Sequence, residues 1–185
     1  MLNFNKTIES PRVILRPIKK EDFEVMNNLT NDQNMWYYFT TDLSKETMLE
    51  DWINLAIKEL ENKKSLPFSI ITVENDEIIG STRVSNISQR DKRVEIGWTW
   101  IAKEYQGTGI NSHVKKLLFK FLFEETETVR IELKTDVLNI PARKGMLKSG
   151  LIEEGILRSH TLMTNNRRRD TIFYSILKDE WPEKQ

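Results

Sequence analysis

The chain has no cysteine among its 185 residues. Disulfides, thiolate zinc sites and a cysteine nucleophile are therefore excluded, and the absence fits a reducing compartment. Histidine occurs only at His113 and His160, too isolated in sequence to suggest a metal site. No Ser/His/Asp arrangement is visible from spacing, and no metal is expected. Neither sign of charge is in excess: 28 Lys+Arg stand against 28 Asp+Glu. Nothing global draws such a chain to nucleic acid, and any charge preference must come from local patches. No apolar run approaches the roughly 20 residues that cross a bilayer. The opening MLNFNKTIESP lacks the basic-then-apolar order of a secretory signal. The expectation is a cytoplasmic protein with no membrane or nucleic-acid partner. No internal repeat or low-complexity linker is present.

What the chain does have is a soluble globular composition, 38% hydrophobic and 30% charged. Its length suits a single domain with one sizeable core, expected over residues 1–185 with its body at about 12–181. Val13–Ile18 alternates like a strand, and residues 19–29 carry Phe23, Met26 and Leu29 at helical spacing. Residues 45–62 place Met48, Leu49, Trp52, Ile53, Leu55, Ala56 and Leu60 on one broad apolar face. Phe68–Val73 and Glu77–Val84 read as strands about a turn at Asn75–Asp76. Arg93–Ile101 is a further strand, with Val94, Ile96, Trp98 and Trp100 alternating against Glu95, Gly97 and Thr99. Gly97 inside it suggests a bulge or a close backbone approach. Helix 109–125, strand Ile131–Val137 and a short helix Pro141–Ser149 follow, the last with Pro141 in its first turn and Gly150 after its end. Leu151–Met163 and Thr171–Leu177 read as a final hairpin with NNRRR near its tip. This order implies a mixed α/β sheet with helices on both faces.

The chain is organised around residues 93–112, RVEIGWTWIAKEYQGTGINS. A strand ends there in a short Gly-bearing loop, and an amphipathic helix follows. Backbone amides at such a junction point above the helix start, where the helix dipole adds partial positive charge, so the place suits a phosphate or diphosphate. Taken alone, the two glycines also fit an ordinary strand-to-helix turn.

The segment Gln106–Asn111 (QGTGIN) resembles the acyl-CoA-binding motif of the GNAT superfamily of N-acetyltransferases, Q/R-x-x-G-x-G/A. Gln106 and Gly109 match, and Asn111 departs from the usual Gly or Ala. VEIGWTWIAKEYQGTGIN, Asn139, Lys148-Ser149-Gly150 and RRRDTIFYSILKDEW resemble the RimJ/RimL-like branch, so the resemblance runs from Arg12 to Trp181. It implies a GNAT-like mixed, mostly antiparallel twisted sheet. It also implies acetyl-CoA as co-substrate, with no metal.

The resemblance further implies that Gln106, Gly107, Thr108, Gly109, Ile110 and Asn111 hold the diphosphate. The backbone at Trp100, Ile101 and Ala102 would pair with the pantetheine, and Asn139 would hold pantetheine or an ordered water. Glu95 is the general-base candidate, because an ammonium acceptor must lose a proton before it attacks a thioester; the bland reading is an outward polar residue of an alternating strand. Relatives carry a Ser or Tyr acid where this chain has Ala142 and Met146, which leaves Tyr174 as the catalytic acid candidate, although a tyrosine on a strand is also ordinary core. Trp36, Tyr37, Tyr38 and Phe39 lie in the loop that helps form the branch's acceptor pocket, and Trp36, Tyr37 and Tyr38 are expected to bind substrate with Glu95. Asp42 and Glu46 would attract a cationic amine or serve only as solvated helix-start acids. Arg167–Arg169 reads as a solvated charge run, with contact to an acidic substrate or to the CoA phosphates as its other use. The function so implied is transfer of an acetyl group from acetyl-CoA to a primary amine, such as a protein N-terminus of ribosomal type. The alternatives are a small-amine acetyltransferase, acting on a polyamine, amino acid or aminoglycoside, and a non-catalytic acyl-CoA-binding module. A monomer or homodimer is expected.

Overall fold

A computed structural model describes residues 2–164 and 166–181. Asn165 of the NNRRR segment and the extreme ends of the expected 1–185 domain lie outside the described residues. The strands are β1 (Ile8–Glu9), β2 (Val13–Pro17), β3 (Leu66–Thr72), β4 (Ile78–Ser88), β5 (Arg93–Ile101), β6 (Arg130–Asp136), β7 (Ile152–Leu162) and β8 (Arg168–Leu177). The helices are α1 (Phe23–Leu29), α2 (Met48–Glu61), α3 (Ile110–Glu124) and α4 (Ile140–Lys148). All eight strands join one sheet in the order β1-β2-β3-β4-β5-β6-β8-β7. Every pairing is antiparallel except β5 with β6. That exception is forced by α3, which crosses between the two strands and returns the chain in the same direction.

The helices form where apolar spacing asks for them. In α2, Leu49, Trp52, Ile53 and Ala56 are buried, one stripe repeating at three and four residues. That stripe packs with Met26 of α1, Trp36 and Trp100 on one face of the sheet. Ile110, Val114, Leu118 and Leu122 of α3 pack with β1–β6 on the opposite face, which Met146 of α4 joins. The mixed, mostly antiparallel sheet with helices on both faces is thus the architecture observed. In α4, the Asn139 side chain accepts from the Ala142 N–H at 3.2 Å, Pro141 sits in the first turn, and Gly150 closes the end at φ 86°.

The expected alternation of β5 breaks at Trp98. Ser81 of β4 pairs with Trp100 and Arg83 pairs with Gly97, so Thr82 faces both Trp98 and Thr99. This is a β-bulge with one extra residue on β5. Gly97 marked its neighbourhood correctly, but the left-handed residue is Trp98, at φ 50°. The extra residue turns Trp98 outward, to 37% exposure, while Trp100 goes into the α1–α2 face. The close backbone approach lies at Gly80, not Gly97: a Cβ on Gly80 would stand 2.2 Å from the Trp100 carbonyl oxygen. A second bulge in β4, between Ser85 and Ser88, puts Asn86 at φ 48°.

Candidate active site

The β5–β6 ladder has the pairs Arg93–Arg130, Val94–Ile131 and Glu95–Glu132, and stops there, although β5 runs on to Ile101 and β6 to Asp136. The strands diverge past Glu95, and a cleft of ≈ 340 Å³ opens between them. Its walls are residues 95–99 of β5, Leu133–Thr135 of β6, Asn111 and Lys115 of α3, Asn139 with Pro141, Ala142, Gly145 and Met146 of α4, Tyr38–Thr40, and His160, Thr161 and Arg169 of the β7–β8 hairpin. It lies at the carboxyl ends of two parallel strands, where open α/β sheets place their ligands.

The strand-to-helix junction stands at one side of this cleft. After β5 a 3-10 turn at Lys103–Tyr105 leads into Gln106, whose Nε2 donates to the Ile101 carbonyl at 2.9 Å. Gly107 and Gly109 take φ 77° and 85°, a region closed to most side chains, and nothing lies within 4 Å of a Cβ built on either. Open space rather than packing surrounds them. No side chain caps α3, and its first turn carries no acidic residue. The amides of that turn therefore face outward with their dipole uncompensated, as an anion site requires. Thr108 Oγ1 donates to the Tyr105 carbonyl at 2.7 Å and pins the loop. The side chains of Trp100, Ile101 and Ala102 are buried. Ala102 N–H donates to Ile79 of β4 at 2.7 Å. By the alternation of strand groups, the Ile101 amide points the other way, toward the gap.

Glu95 sits on the cleft floor where the strands part, 4% exposed. Its Oε2 accepts from Lys134 Nζ at 2.9 Å and from Asn86 Nδ2 at 2.8 Å. The bulge in β4 is what aims Asn86 at it. The outward-polar reading of Glu95 is therefore set aside: the side chain is buried and held at the mouth of the divergence.

Other expected site residues are distributed differently. Asn139 lines the cleft and caps α4 as well. Ala142 and Met146 line the same wall and offer no acid. Tyr174 is fully buried in β8; its hydroxyl accepts from Arg143 Nε at 3.2 Å and donates to Glu153 Oε2 at 3.3 Å. It is not among the residues that line the cleft, although Leu133, its cross-strand partner on β6, is. Of the aromatic run, Trp36 is core: its Nε1 donates to the Thr30 carbonyl at 2.9 Å and its ring meets Trp100 edge-on. Tyr37 is exposed, with the Arg167 guanidinium 5.1 Å from its ring centre. Tyr38 and Phe39 line the cleft. Asp42 accepts from Ser44 Oγ at 2.6 Å and Glu46 is exposed, and neither is among the cleft-lining residues. The run Arg167–Arg169 is not uniformly solvated: Arg168 is exposed, Arg167 pairs with Asp136, and Arg169 is buried in the cleft wall.

Sequence reasoning missed Lys115, Lys134, His160 and the burial of Arg169. Lys134 had a signal, since it alternates on a strand directly after the segment facing Glu95. Lys115 had a weaker one, being a lysine four residues after Asn111 on the same helix face. It is 8% exposed and, among the described residues, has no hydrogen bond or ion pair. Burial pushes its ammonium down to about 8. Its Nζ lies 3.9 Å from the point where a Cβ on Gly145 of α4 would stand.

A diverging parallel strand pair, an uncapped helix start and a buried carboxylate between them suit an acyl-CoA-dependent acyltransferase. The model of the acetyltransferase (GNAT) domain matches residues 12–152, and the chain belongs to that family. YdaF of Bacillus subtilis (strain 168), provisionally named a ribosomal N-acetyltransferase, is 28% identical over 178 residues, 91% of this chain and 93% of its own length. Spermidine N(1)-acetyltransferase of Escherichia coli (strain K12) is 26% identical over 171 residues, 91% and 88% of the two chains. The crystal structure of ribosomal-protein-S5-alanine acetyltransferase from Vibrio fischeri superposes with a TM-score of 0.79 at 19% identity, over 96% of this chain and 99% of that one. Among the described residues, no three His, Cys, Asp or Glu side chains gather to hold a metal, and no helix is long and apolar enough to cross a membrane.

Proposed function

We propose that this N-acetyltransferase moves the acetyl group of acetyl-CoA directly to the primary amine of a protein N-terminus, in a ternary complex within the cleft. The observation that carries the reading is Glu95, a buried carboxylate at the point where β5 and β6 part. The uncapped amides of residues 107–111 suit the diphosphate, and Asn111 and Asn139 line the path from that junction into the cleft. Glu95 takes the ammonium proton, directly or through a water. The freed amine attacks the thioester carbonyl, and the outward amide of Ile101 is placed to stabilise the oxyanion. The tetrahedral species expels the thiolate, which needs no enzymic acid because thiols are far more acidic than alcohols. Likeness to YdaF supports a protein acceptor; likeness to the spermidine enzyme supports a small amine. The acidic rim that a polyamine would want is not supplied by Asp42 or Glu46, which favours the first.

The test is Glu95→Gln in a thiol-release assay over amines and peptides with free N-termini. The expected outcome is a loss of about 100-fold or more in kcat, with acetyl-CoA affinity nearly unchanged by calorimetry. Turnover retained across pH would place the base elsewhere. Tight acetyl-CoA binding without thiol release from any acceptor would favour the non-catalytic module.

A further inference from the structure

The cleft wall opposite α3 carries more positive charge than its own acids can match. Lys134, His160, Arg169 and Glu95 share one face of the sheet, tied together through β8. Lys134 Nζ stands 5.8 Å from the Phe173 ring centre, and the His160 ring meets Phe173 at 5.8 Å. Two residues away on β8, Thr171 Oγ1 accepts from Arg169 Nε at 3.0 Å and lies 3.1 Å from His160 Nδ1. The acids near this face are engaged. Glu95 is bonded by Lys134 and Asn86, and Asp136 by Arg167 and by the Leu138 N–H at 2.9 Å. Two carboxylates thus answer three permanent cations, Lys134, Arg167 and Arg169. The one left over is Arg169.

Arg169 is 7% exposed and lines the cleft. Thr171 holds its Nε, and among the described residues its two terminal nitrogens have no hydrogen-bond partner and no carboxylate within ion-pair distance. Burial pushes this guanidinium down, and the repulsion of Arg167 adds to that, while the charges of Asp136 and Glu95 act against it. A buried guanidinium without a counter-ion is costly. Its planar fork matches a carboxylate in two parallel hydrogen bonds, a geometry that a lysine does not offer.

We infer that the terminal nitrogens of Arg169 receive a carboxylate of the acceptor, so that the amine acetylated here has an acidic group beside it. The inference rests on the acetyl-transfer reading of the cleft. Two sources share the chemistry: the α-carboxylate of a free amino acid, and an acidic side chain in the first residues of a polypeptide. The same wall disfavours a polyamine, whose second ammonium would face Arg169 and Lys134.

The experiment measures kcat/KM by thiol release over two matched series. One holds free amino acids, their α-amides and the corresponding decarboxylated amines. The other holds peptides with Asp or Glu at the first two positions and their Asn, Gln or Ala counterparts. Wild-type protein is expected to prefer the acid over its neutral partner by at least about tenfold in one series, which identifies the source. Arg169→Met is expected to bring that ratio to about one, with acetyl-CoA affinity and turnover of the neutral acceptor retained. Arg169→Lys restores part of it. A ratio near one in wild type, a ratio that survives Arg169→Met, or spermidine turned over better than every acid overturns the inference. Should Arg169→Met fail to fold by circular dichroism, the wild-type ratio and the lysine variant decide. If no acceptor releases thiol although acetyl-CoA binds, acetyl transfer itself is refuted. Full turnover of neutral amines alone refutes only the role of Arg169.

Discussion

Lys115 shows how much one side chain can set against the stability of the fold. Its ammonium is buried between α3 and α4 with no counter-ion among the described residues, and burial lowers it to about 8 from the 10.5 of an exposed lysine. Between those values the native protein holds fewer protons than the unfolded chain, so stability rises with pH across that window. Below about pH 8 the whole penalty is present, at most about 3 kcal/mol from the size of the shift. Lys115→Met should therefore raise stability in urea at pH 7 by about 1–3 kcal/mol, with the gain shrinking toward pH 10. A destabilised variant at pH 7 would mean that Lys115 has a counter-ion. Beyond its spacing from Asn111, the local pattern says little of this residue: it is flanked by Val114, which packs in the core, and by Lys116, which is exposed. Position on a helix wheel is local, whereas the closure of α4 over that face is not.

At the scale of elements, the junction of β5 with α3 carries the cofactor argument. Gly109 has a left-handed backbone and open space where a side chain would stand. Gly109→Trp should cost about 1–2 kcal/mol of backbone strain, leaving the protein folded, while its indole covers the amides of the first turn. Calorimetry should then show no acetyl-CoA binding. Gly109→Ala carries the same strain with little bulk and should keep measurable binding, which separates blocking from distortion. Unchanged affinity in the tryptophan variant would remove the diphosphate from this site. Glycine spacing and helix periodicity made the junction legible beforehand. The face of Trp98 was not legible, because an added residue in β5 reverses the side-chain alternation, and only pairing with β4 reveals it. Tyr174 illustrates the same limit. A strand tyrosine reads alike whether its hydroxyl faces a cleft or, as here, lies between Arg143 and Glu153.

Across the whole molecule, Asp22 ties the edge of the sheet to the first helix. It is 3% exposed and accepts from Arg16 of β2 at 2.6 and 2.8 Å, from Ser69 Oγ of β3 at 2.6 Å, and from the Lys19 N–H at 3.0 Å. Burial by itself would raise this carboxyl, but the bonds from Arg16, Ser69 and Lys19 outweigh it and hold it below the usual range. A depressed native value stabilises the fold above the unfolded value of 3.8, and the contribution is lost as pH falls through the native one. Asp22→Asn should thus cost about 3 kcal/mol at pH 7. Thermal melts should show the gap to wild type narrowing below about pH 4. A gap independent of pH would leave only the shape of the side chain to matter.

The linear chain was enough for the class of fold, the strand-to-helix junction with its glycines, the first turn and end of α4, and Glu95 as the carboxylate to watch. Each depends on interactions among residues a few positions apart, or on backbone conformations that a glycine or proline announces. The folded chain alone settled which charges meet. Lys134 reaches Glu95 from 39 positions away, Arg167 reaches Asp136 from 31, and Arg169 is left in the cleft wall without an acid. Coulomb attraction and desolvation act through space, so the balance of charge in a site is a property of strand order and register that no sequence window contains.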